Sequence, residues 1–574
     1  MGSDKRASTR TQLECASEEG FTRQHDQKNG EVNYIADEYE PEPKLFTLNY
    51  CMVLLGFGMA FVGSQLQPLL FAAIVPIVSA DFGASDLLVW LFCTQQIATG
   101  VIAPFAGSLS DLFGRKGIML AGVVSSMLGM IVSAATPTAG GYLAGQVFNG
   151  IGIAIQELLA IAAIAEIVPT KYRGYHIAIV VTSFLPFAPA SLYGALIAEK
   201  NWRYCAALIA IWNFITLIIL GMFYHPPARH NIEHSVWSKI KKIDIIGGAI
   251  MTTGLVLLLI ALNLGGQNEP WSSTRVICCL TFGIALLIAF FIFEVFFVPS
   301  PMFPRSLLKH PRTFSALMVV ILMAGINYVS LLVFWVLEAV SVYNSDQVEL
   351  GIRTLPYGFC IMGGAVVSAV LISAFKGYLR WIMTAFCIVQ VIGIGCMAAI
   401  NLHDINTVFA PLIFSLLGIG GVLIPNQIIV TIICPDELIA TATCLTACLR
   451  AVGQVIGTSI FFNQFVSVLT KNAYKSVLPV ALEAGVTDFD LLSTMMTTLV
   501  TTPWKEFVPA SGLAQMVKGE TLEVLHSAVI QAFGVAFDRV WFIAIGFGIA
   551  AVIASVFIED LTALMDGHVA VKYF

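Results

Sequence analysis

Long apolar stretches alternate with short polar connections along most of this chain. A helix needs about 20 largely apolar residues to cross roughly 30 Å of hydrocarbon. Counted between charged residues by that rule, the chain contains fourteen candidate transmembrane helices. Their approximate bounds are 46–79, 87–110, 117–135, 141–165, 175–198, 204–224, 245–266, 276–298, 314–341, 353–375, 381–400, 405–433, 439–469 and 539–558. The pattern therefore predicts an all-α integral membrane protein.

The composition agrees with this pattern. Of 574 residues, 57% are apolar and only 11% are charged, against roughly 25% charged in soluble globular proteins. A net charge of −6 provides no basic surface for nucleic acid. The composition excludes a soluble domain, a disordered chain, a disulfide scaffold and a nucleic-acid binder. We expect the lipid bilayer to surround the chain, and the 12 cysteines to act as small packing residues.

Lysine and arginine are distributed unequally between the two sets of loops. The connections after helices 2, 4, 6, 8 and 10 carry thirteen of them, and the short loops on the other side carry four. By the positive-inside rule, both termini face the cytosol. We therefore expect residues 1–45 to form a disordered cytosolic tail and residues 561–574 to form a second, short one. Residues 471–538 are predicted to lie outside as a loop with amphipathic helices on the outer face.

A faint internal repeat relates the first six helices to the last six. The segment Gly150–Glu157 resembles Gly418–Gln427 at an offset of 268 to 270 residues, and Ser110–Lys116 has a degraded counterpart in Ser373–Arg380 at an offset of 263 to 264 residues. Internal repeats are common in secondary transporters. This repeat predicts an N-terminal six-helix bundle over 46–224, a linker with two inserted helices over 225–298, and a C-terminal six-helix bundle over 299–560. Chance similarity between glycine-rich apolar helices is the alternative.

A charged turn joins the second and third predicted helices. It reads G-S-L-S-D-L-F-G-R-K from Gly107. Glycine at the first position permits close helix approach, Asp111 is placed to meet a helix N-terminus or a basic group, and Gly114 permits a tight turn. Arg115 and Lys116 would hold this cytosolic gating motif in the cytosol. The segment resembles the signature loop of the major facilitator superfamily.

The resemblance extends over most of residues 46–560. Segments such as Ala165–Arg173, Asn201–Arg203 and Pro301–Pro304 look like the fungal fourteen-span branch, which includes trichothecene efflux pumps, siderophore transporters and drug:proton antiporters. The resemblance implies the major facilitator fold and proton-coupled transport of a small organic molecule by alternating access. The sequence departs from many relatives at Gln146, where they have an arginine. It also departs in the fifth helix, where 186–194 keeps two prolines but a single glycine of the antiporter motif.

Two charged residues lie deep in the predicted helices, where ionisable groups are functional candidates by default. Glu157 is predicted about 5 Å from the bilayer midplane, and we expect it to carry the proton in transport. Its alternative role is a protonated acid that joins helices through hydrogen bonds. Arg450 must meet a carboxylate, carbonyls or water. It has either a coupling role or a structural role in joining the halves.

Several amide and aromatic side chains are predicted to line a central substrate cavity. They are Gln65, Gln95, Gln146, Asn149, Gln156, Asn327, Tyr328, Trp335, Asn426 and Gln427. Few charges among many amides favour a bulky, weakly polar organic substrate. Hydrogen bonding between helices is the alternative for each of them. Glu338 is predicted on the same helix face as Asn327, near the outer end of its helix.

The resemblance, together with these residues, favours a proton-coupled exporter of a toxin, drug or fungal metabolite. The alternatives are siderophore–iron uptake with protons, a sensor without flux, and an integral-membrane enzyme. The chain lacks a phosphate-binding G-x-x-x-x-G-K-[ST] loop and any metal-ligand spacing. We therefore expect no enzymatic activity, catalytic residue, cofactor or metal, and a monomer with small organic substrate and protons as partners. We expect it in the plasma membrane, with vacuolar or vesicle membranes as alternatives.

Overall fold

The computed structural model describes most of the chain. The described residues are 22–23, 34–35, 48–83, 87–226, 244–266, 269–298, 309–400, 402, 404–483, 495–500, 502–511 and 519–565. The chain divides into two compact units, residues 1–51 and residues 52–573. In the first unit, β1 (Thr22–Arg23) and β2 (Tyr34–Ile35) pair as antiparallel strands. The rest of the predicted 1–45 tail, and the 566–574 part of the predicted C-terminal tail, lie outside the described residues.

Helices account for nearly all of the remaining described structure. The N-terminal half contains α1 (Leu48–Ala72), α2 (Val75–Asp81), α3 (Leu88–Phe113), α4 (Arg115–Ala135), α5 (Ala139–Ile167), α6 (Arg173–Thr182), α7 (Ala190–Ala198) and α8 (Arg203–Phe223). Helices α4 and α5 pack together closely, and α5 also packs on α3. Buried side chains occupy almost the whole circumference of α5 from Gly152 to Ile167, so this helix lies inside the protein.

The middle helices and the C-terminal half follow. They are α9 (Ile245–Leu264), α10 (Thr274–Phe296), α11 (Pro311–Val329), α12 (Trp335–Ser341), α13 (Gln347–Arg353), α14 (Pro356–Ala374), α15 (Leu379–Met397), α16 (Asn406–Ile433), α17 (Ile439–Asn472), α18 (Leu478–Glu483), α19 (Trp504–Ser511) and α20 (Gly519–Val556). Helices α9 and α10 pack as a pair, and α9 also contacts α3 and α17. Helices α15 and α16 pair in the C-terminal half as α4 and α5 do in the N-terminal half.

Thirteen helical stretches within the described residues are long and apolar enough to cross a membrane. The predicted fifth span, 175–198, is not among them because it is broken. It consists of α6, a 3₁₀ turn at Leu185–Phe187, and α7. Pro186 and Pro189 lack the backbone N–H that a continuous helix requires, which explains the break. The fourteen-span prediction thus agrees roughly with the structure.

The C-terminal segment differs from its predicted form. The last helix, α20, begins at Gly519 rather than near 539, and α17 continues through a π-turn at Ala473–Val477 into α18. Within the segment predicted to lie outside, Leu525, Phe533 and Phe537 are each at most 1% exposed, whereas Leu482 is 45% exposed. An amphipathic helix covers a neighbouring helix with the same spacing that it would use on lipid, so the sequence pattern does not separate the two.

The two halves meet along several helix pairs of the larger unit. Helix α3 packs on α17, α6 packs on α14, and α7 packs on α13. Helix direction alternates, so residues 107–116, the C-terminal ends of α5 and α16 and the start of α17 lie at one end, called here the motif end. The opposite end is called the far end. These contacts place α5 and α17 side by side at the centre of the unit.

Candidate functional site

A buried ion pair joins the two halves at the centre. Arg450 on α17 donates from Nη1 to Glu157 Oε1 at 2.7 Å and from Nη2 to Glu157 Oε2 at 2.6 Å. The Glu157 side chain is 2% exposed and that of Arg450 is 12% exposed. Two parallel N–H···O bonds form the strong, orientation-specific arrangement that arginine makes with a carboxylate. The pair therefore stabilises contact between α5 and α17.

The pair lies at mid-depth. At 1.5 Å per residue, Glu157 is about 15 Å along α5 from Ile167, and Arg450 is about 16 Å along α17 from Ile439. Both helices have these ends on the motif side. Half of a roughly 30 Å hydrocarbon layer is a similar distance. The two residues are thus level with each other and far from bulk water, where an ionic interaction is screened little.

A small central cavity borders this pair. Its volume is about 60 Å³, and its lining residues are Phe61, Gln65, Leu69, Glu157, Val181, Phe184, Tyr357, Gly358, Ile361, Met362, Ala365, Gly420, Leu423, Ile424 and Arg450. Organic-ligand pockets usually measure about 300–1,000 Å³. A cavity of this size holds about two water molecules, so this conformation is too closed for an organic substrate.

A second cavity, of about 30 Å³, lies toward the far end. Two predicted cavity residues, Gln95 and Tyr328, line it together with Gln67 and Gln96. The central cavity contains only one of the predicted amides, Gln65. The structure therefore places three of the ten predicted cavity residues on cavity walls, divided between two sites.

Most of the other predicted cavity residues form hydrogen bonds within the protein. Gln146 accepts from Gln67 Nε2 at 3.2 Å, Asn149 accepts from Ser126 Oγ at 2.7 Å, and Asn426 donates to Leu317 O at 2.8 Å. In the amide orientation that suits its neighbours, Asn327 donates to Ala544 O at 3.1 Å. The Trp335 indole donates to Arg353 O at 3.3 Å. These side chains line neither of the two cavities, in agreement with the helix-joining alternative.

The last two predicted cavity residues are buried without complete hydrogen bonding. Gln156 is 0% exposed, and neither of its amide atoms has a partner among the described residues. The Oε1 atom of Gln427, which is 1% exposed, also has none. Neither residue lines the two cavities.

At the motif end, the structure describes four of the five predicted gating residues. A Cβ atom at Gly107 would lie 2.8 Å from Thr441 Cα, so α3 and α17 meet there, and Gly114 has φ +95° at the turn. Arg115 Nε donates to Glu166 Oε1 at 3.1 Å within the N-terminal half, and Lys116 Nζ donates to Gly221 O at 2.8 Å. The side chain of Asp111 lies outside the described residues.

Contacts between the halves lie on both sides of the central cavity. At the motif end, Arg173 Nη1 donates to Thr431 O at 2.7 Å, and Gly174 abuts Ala369. At the far end, Gln347 Nε2 donates to Ala73 O at 3.1 Å, and a Cβ atom at Gly358 would lie 2.7 Å from Ala188 Cα. The two halves therefore contact each other on both sides of the central cavity.

Sequence reasoning missed the apolar wall of the cavity and the Arg115–Glu166 pair. Phe61, Phe184 and Met362 line the central cavity, but in an apolar helix they are indistinguishable from lipid-facing residues. No sequence signal separates the two. The pairing of Arg115 with Glu166 had a weak signal, because both residues belong to segments that carry the family resemblance.

The comparisons with known proteins identify the family. A family model described as "Fungal trichothecene efflux pump (TRI12)" matches residues 34–574. The chain belongs to this efflux-pump family. The trichothecene efflux pump TRI12 of Fusarium sporotrichioides is 24% identical over 535 residues, which cover 89% of this chain and 86% of that protein. The MFS-type transporter gkaD of Penicillium citrinum is 23% identical over 452 residues, covering 77% and 76%.

A solved structure shows the fold of this efflux-pump family member. The bacterial homologue of the human lysosomal transporter Spinster, in an inward-facing and occupied conformation, matches with a TM-score of 0.54 and 14% identity. The match covers 89% of this chain and 97% of that one. The predicted major facilitator fold and family resemblance are confirmed. The protein is a multi-pass membrane transporter and not an enzyme.

Proposed function

We propose that this protein exports a small, weakly polar organic molecule in exchange for protons, by alternating access between its two halves. The Glu157–Arg450 pair carries the proposal, because it joins the halves at the wall of the central cavity. That wall is otherwise mostly apolar and aromatic, with a single amide, which suits a hydrophobic metabolite or toxin. Family membership favours export over siderophore uptake.

Proton coupling follows from the chemistry of the pair. As a carboxylate, Glu157 accepts two charge-assisted hydrogen bonds from Arg450 and holds α5 against α17. Protonation removes the negative charge and one acceptor, so the contact weakens and the halves separate. Loss of the proton restores the pair and closes the cavity. The membrane supplies about 2.3 kcal/mol per charge per 100 mV, plus about 1.4 kcal/mol per pH unit.

The orientation and setting form part of the same proposal. The motif end faces the cytosol, because most loop lysines and arginines lie on that side. The protein acts as a monomer, since a single chain provides both sides of the cavity. Its membrane in this proposal is the plasma membrane. Protons then enter from the acidic outer face while substrate leaves through the far end.

Reconstituted transporter tests the coupling role of Glu157. Proteoliposomes receive a pH gradient, and movement of a radiolabelled trichothecene is followed. Glu157→Gln keeps the side-chain shape but cannot change charge, so we expect it to lose gradient-driven transport, whereas Glu199→Gln, an exposed control, keeps it. Gradient-driven flux in Glu157→Gln at the wild-type rate would refute the proposal. A sensor would show no flux even in the wild-type protein.

A double variant guards against loss of folding. Glu157→Gln leaves the buried guanidinium of Arg450 without its counter-ion, and breaking one side of a buried pair costs about 3–5 kcal/mol. Glu157→Gln/Arg450→Gln removes both charges and leaves two amides that can bond to each other. We expect this variant to elute as a folded protein in size-exclusion chromatography and to lack proton-driven transport. Proton-driven transport by the folded double variant would also contradict the proposal.

A further inference from the structure

A second carboxyl group is buried away from the Glu157–Arg450 pair. Glu338 on α12 is 1% exposed, and its Oε2 accepts a hydrogen bond from Trp541 Nε1 on α20 at 3.3 Å. In the described parts of the chain, no lysine or arginine forms an ion pair with it. A buried carboxylate without a counter-ion costs several kcal/mol, whereas the neutral acid costs much less.

The groups around Glu338 are mostly acidic or phenolic. Asp538 precedes Trp541 by one helical turn on α20, so both face α12, and its negative charge acts on Glu338. Glu338 also interacts electrostatically with Tyr357 on α14 and with Tyr343, which follows α12. Asp404, ahead of α16, acts on Tyr343. These neighbours disfavour a negative charge on Glu338 and do not compensate it.

Arg353 on α13 is the basic group of this cluster, and it is already engaged. Its Nη1 donates to Tyr343 O at 3.1 Å and to Ser345 Oγ, and its Nη2 lies 3.9 Å from Glu349 Oε2. Its guanidinium is thus directed to the loop after α12. Asp538 is only half-buried, so it can exchange protons with water and with Glu338.

We propose that Glu338, together with Asp538, is a second proton-binding site of this transporter. A π-turn at Ser330–Phe334 connects the site to the central cavity. Such turns leave backbone carbonyls without regular helical partners, and here the Tyr357 hydroxyl donates to Leu331 O at 2.8 Å and Leu332 O at 3.0 Å. Tyr357 also lines the central cavity. Tyr357 therefore links the wall of the central cavity to the π-turn that precedes Glu338.

The site deepens the proposed function and rests on it for its role in transport. Tyr328 lies just before this π-turn, on the continuous helical run formed by α11, the π-turn and α12, and the charges of Glu157 and Arg450 act on it. One helical run therefore contacts both carboxyl sites. It follows that each export cycle moves about two protons, one through each carboxyl, which doubles the free energy drawn from a given gradient.

Infrared spectroscopy of the purified protein tests the site without any substrate. A protonated carboxylic acid has a C=O stretching band that a carboxylate lacks. We expect this band in the wild-type protein near neutral pH, its loss in Glu338→Gln, and its retention in Glu157→Gln. An unchanged band in folded Glu338→Gln would overturn the proposal. Glu349→Gln, a half-exposed acid on α13, is the control and should leave the band unaltered.

A titration covers the case in which Glu338→Gln does not fold. The wild-type band should fade as the pH rises and Glu338 ionises. Asp538→Asn removes the neighbouring negative charge, so the fading should move to lower pH. A band that fades at the same pH in both proteins would contradict the link to Asp538.

Proton stoichiometry then tests the transport role. Proton-to-trichothecene ratios from reversal potentials should fall from about two to about one in Glu338→Gln. An unchanged ratio would sink the transport role. If the wild-type protein shows no proton-driven flux, the proposed function fails, while the infrared band still reports on Glu338.

Discussion

At the scale of single residues, the central pair depends on the shape of arginine as well as on its charge. Two parallel bonds of 2.7 and 2.6 Å need two N–H groups in one plane, and the ammonium of lysine is a compact point charge. Glu157 and Arg450 were both identified from the sequence, because a charge in an apolar helix is conspicuous. Their pairing was not predictable, because it depends on how two distant helices are placed.

Arg450→Lys tests the importance of that geometry. The variant keeps the positive charge but loses the paired hydrogen bonds, at a loss of about 1.5–3 kcal/mol for a bond to a charged group. We expect gradient-driven transport of a trichothecene to fall by at least about tenfold, since about 1.4 kcal/mol corresponds to that factor. Arg275→Lys, at a side chain 81% exposed, is the control. Wild-type flux in Arg450→Lys would show that charge alone suffices.

Glycine at position 107 makes a second prediction. A methyl group there would lie 2.8 Å from Thr441 Cα and 3.1 Å from Cys444 Cβ, so α3 and α17 must move apart. Gly107→Ala should lower the free energy of unfolding by about 1–3 kcal/mol. Gly117→Ala meets nothing within 4 Å and should be neutral or slightly stabilising. Thermal unfolding in detergent measures both, and equal midpoints would contradict the close contact.

At the scale of helices, the length of an apolar stretch predicted well that a helix exists there, but it predicted poorly whether that helix is continuous. The broken fifth span illustrates this: its apolar count is sufficient, but the prolines at 186 and 189 divide it. The start of α20 was missed for another reason. The charges of Asp538 and Arg539 set the N-terminal limit of the predicted apolar stretch. The helix nevertheless begins earlier in the chain, because Phe533 and Phe537 pack against Phe465 of α17. Tertiary contacts of this kind are not visible in a hydropathy count.

The junction between α2 and α8 makes a prediction at this scale. Asp81 Oδ2 accepts a hydrogen bond from Trp202 Nε1 at 3.0 Å and another from Arg203 Nη1 at 2.8 Å. These hydrogen bonds lower the pKa of Asp81. The carboxylate therefore stabilises the folded state above about pH 4, and the effect is lost as pH falls through the depressed value. The side chains of Asp81 and Arg203 are both partly exposed, so their ion pair contributes under about 1 kcal/mol to the free energy of unfolding.

Thermal unfolding over a pH series checks the role of Asp81. Asp81→Asn should lower the unfolding midpoint slightly at neutral pH and match the wild-type midpoint in acid, where the carboxyl is protonated. Glu199→Gln should follow the wild-type curve throughout. A constant difference between Asp81→Asn and wild type at every pH would show that the charge is not responsible.

At the scale of the whole molecule, hydrogen bonding between neighbouring helices explains why so few predicted residues line a cavity. The amides of α5 and α11 pair with neighbouring helices while the halves are together. Sequence periodicity identifies the polar face of a helix, but it does not show whether that face contacts water, substrate or another helix. The fold class was predictable because bilayer thickness fixes helix length. The conformation was not, since it depends on the balance between contacts at the two ends.

Gly358 on α14 and Gly174 on α6 each lie at a contact between the halves, one at each end of the protein. Substitutions at these glycines allow the balance between the two contacts to be shifted in either direction. At the far end, a side chain at Gly358 would clash with Ala188, and at the motif end one at Gly174 would clash with Ala369. In a background without native cysteines, Met362→Cys places one thiol at the central cavity. We expect little labelling by an impermeant maleimide from either face. Gly358→Leu should raise labelling from the far end, and Gly174→Leu from the motif end.

The increase in labelling, and the face from which it occurs, show whether the two ends open independently. Weakening one contact by about 1.4 kcal/mol raises the open fraction about tenfold while that fraction is small. Gly140→Leu, whose added side chain starts in open space, should leave labelling unchanged. Under the proposed alternating access, each variant should open one end and leave the other closed, because the halves would rock about the central pair. Labelling that rises equally from both faces in Gly358→Leu would instead contradict alternating access.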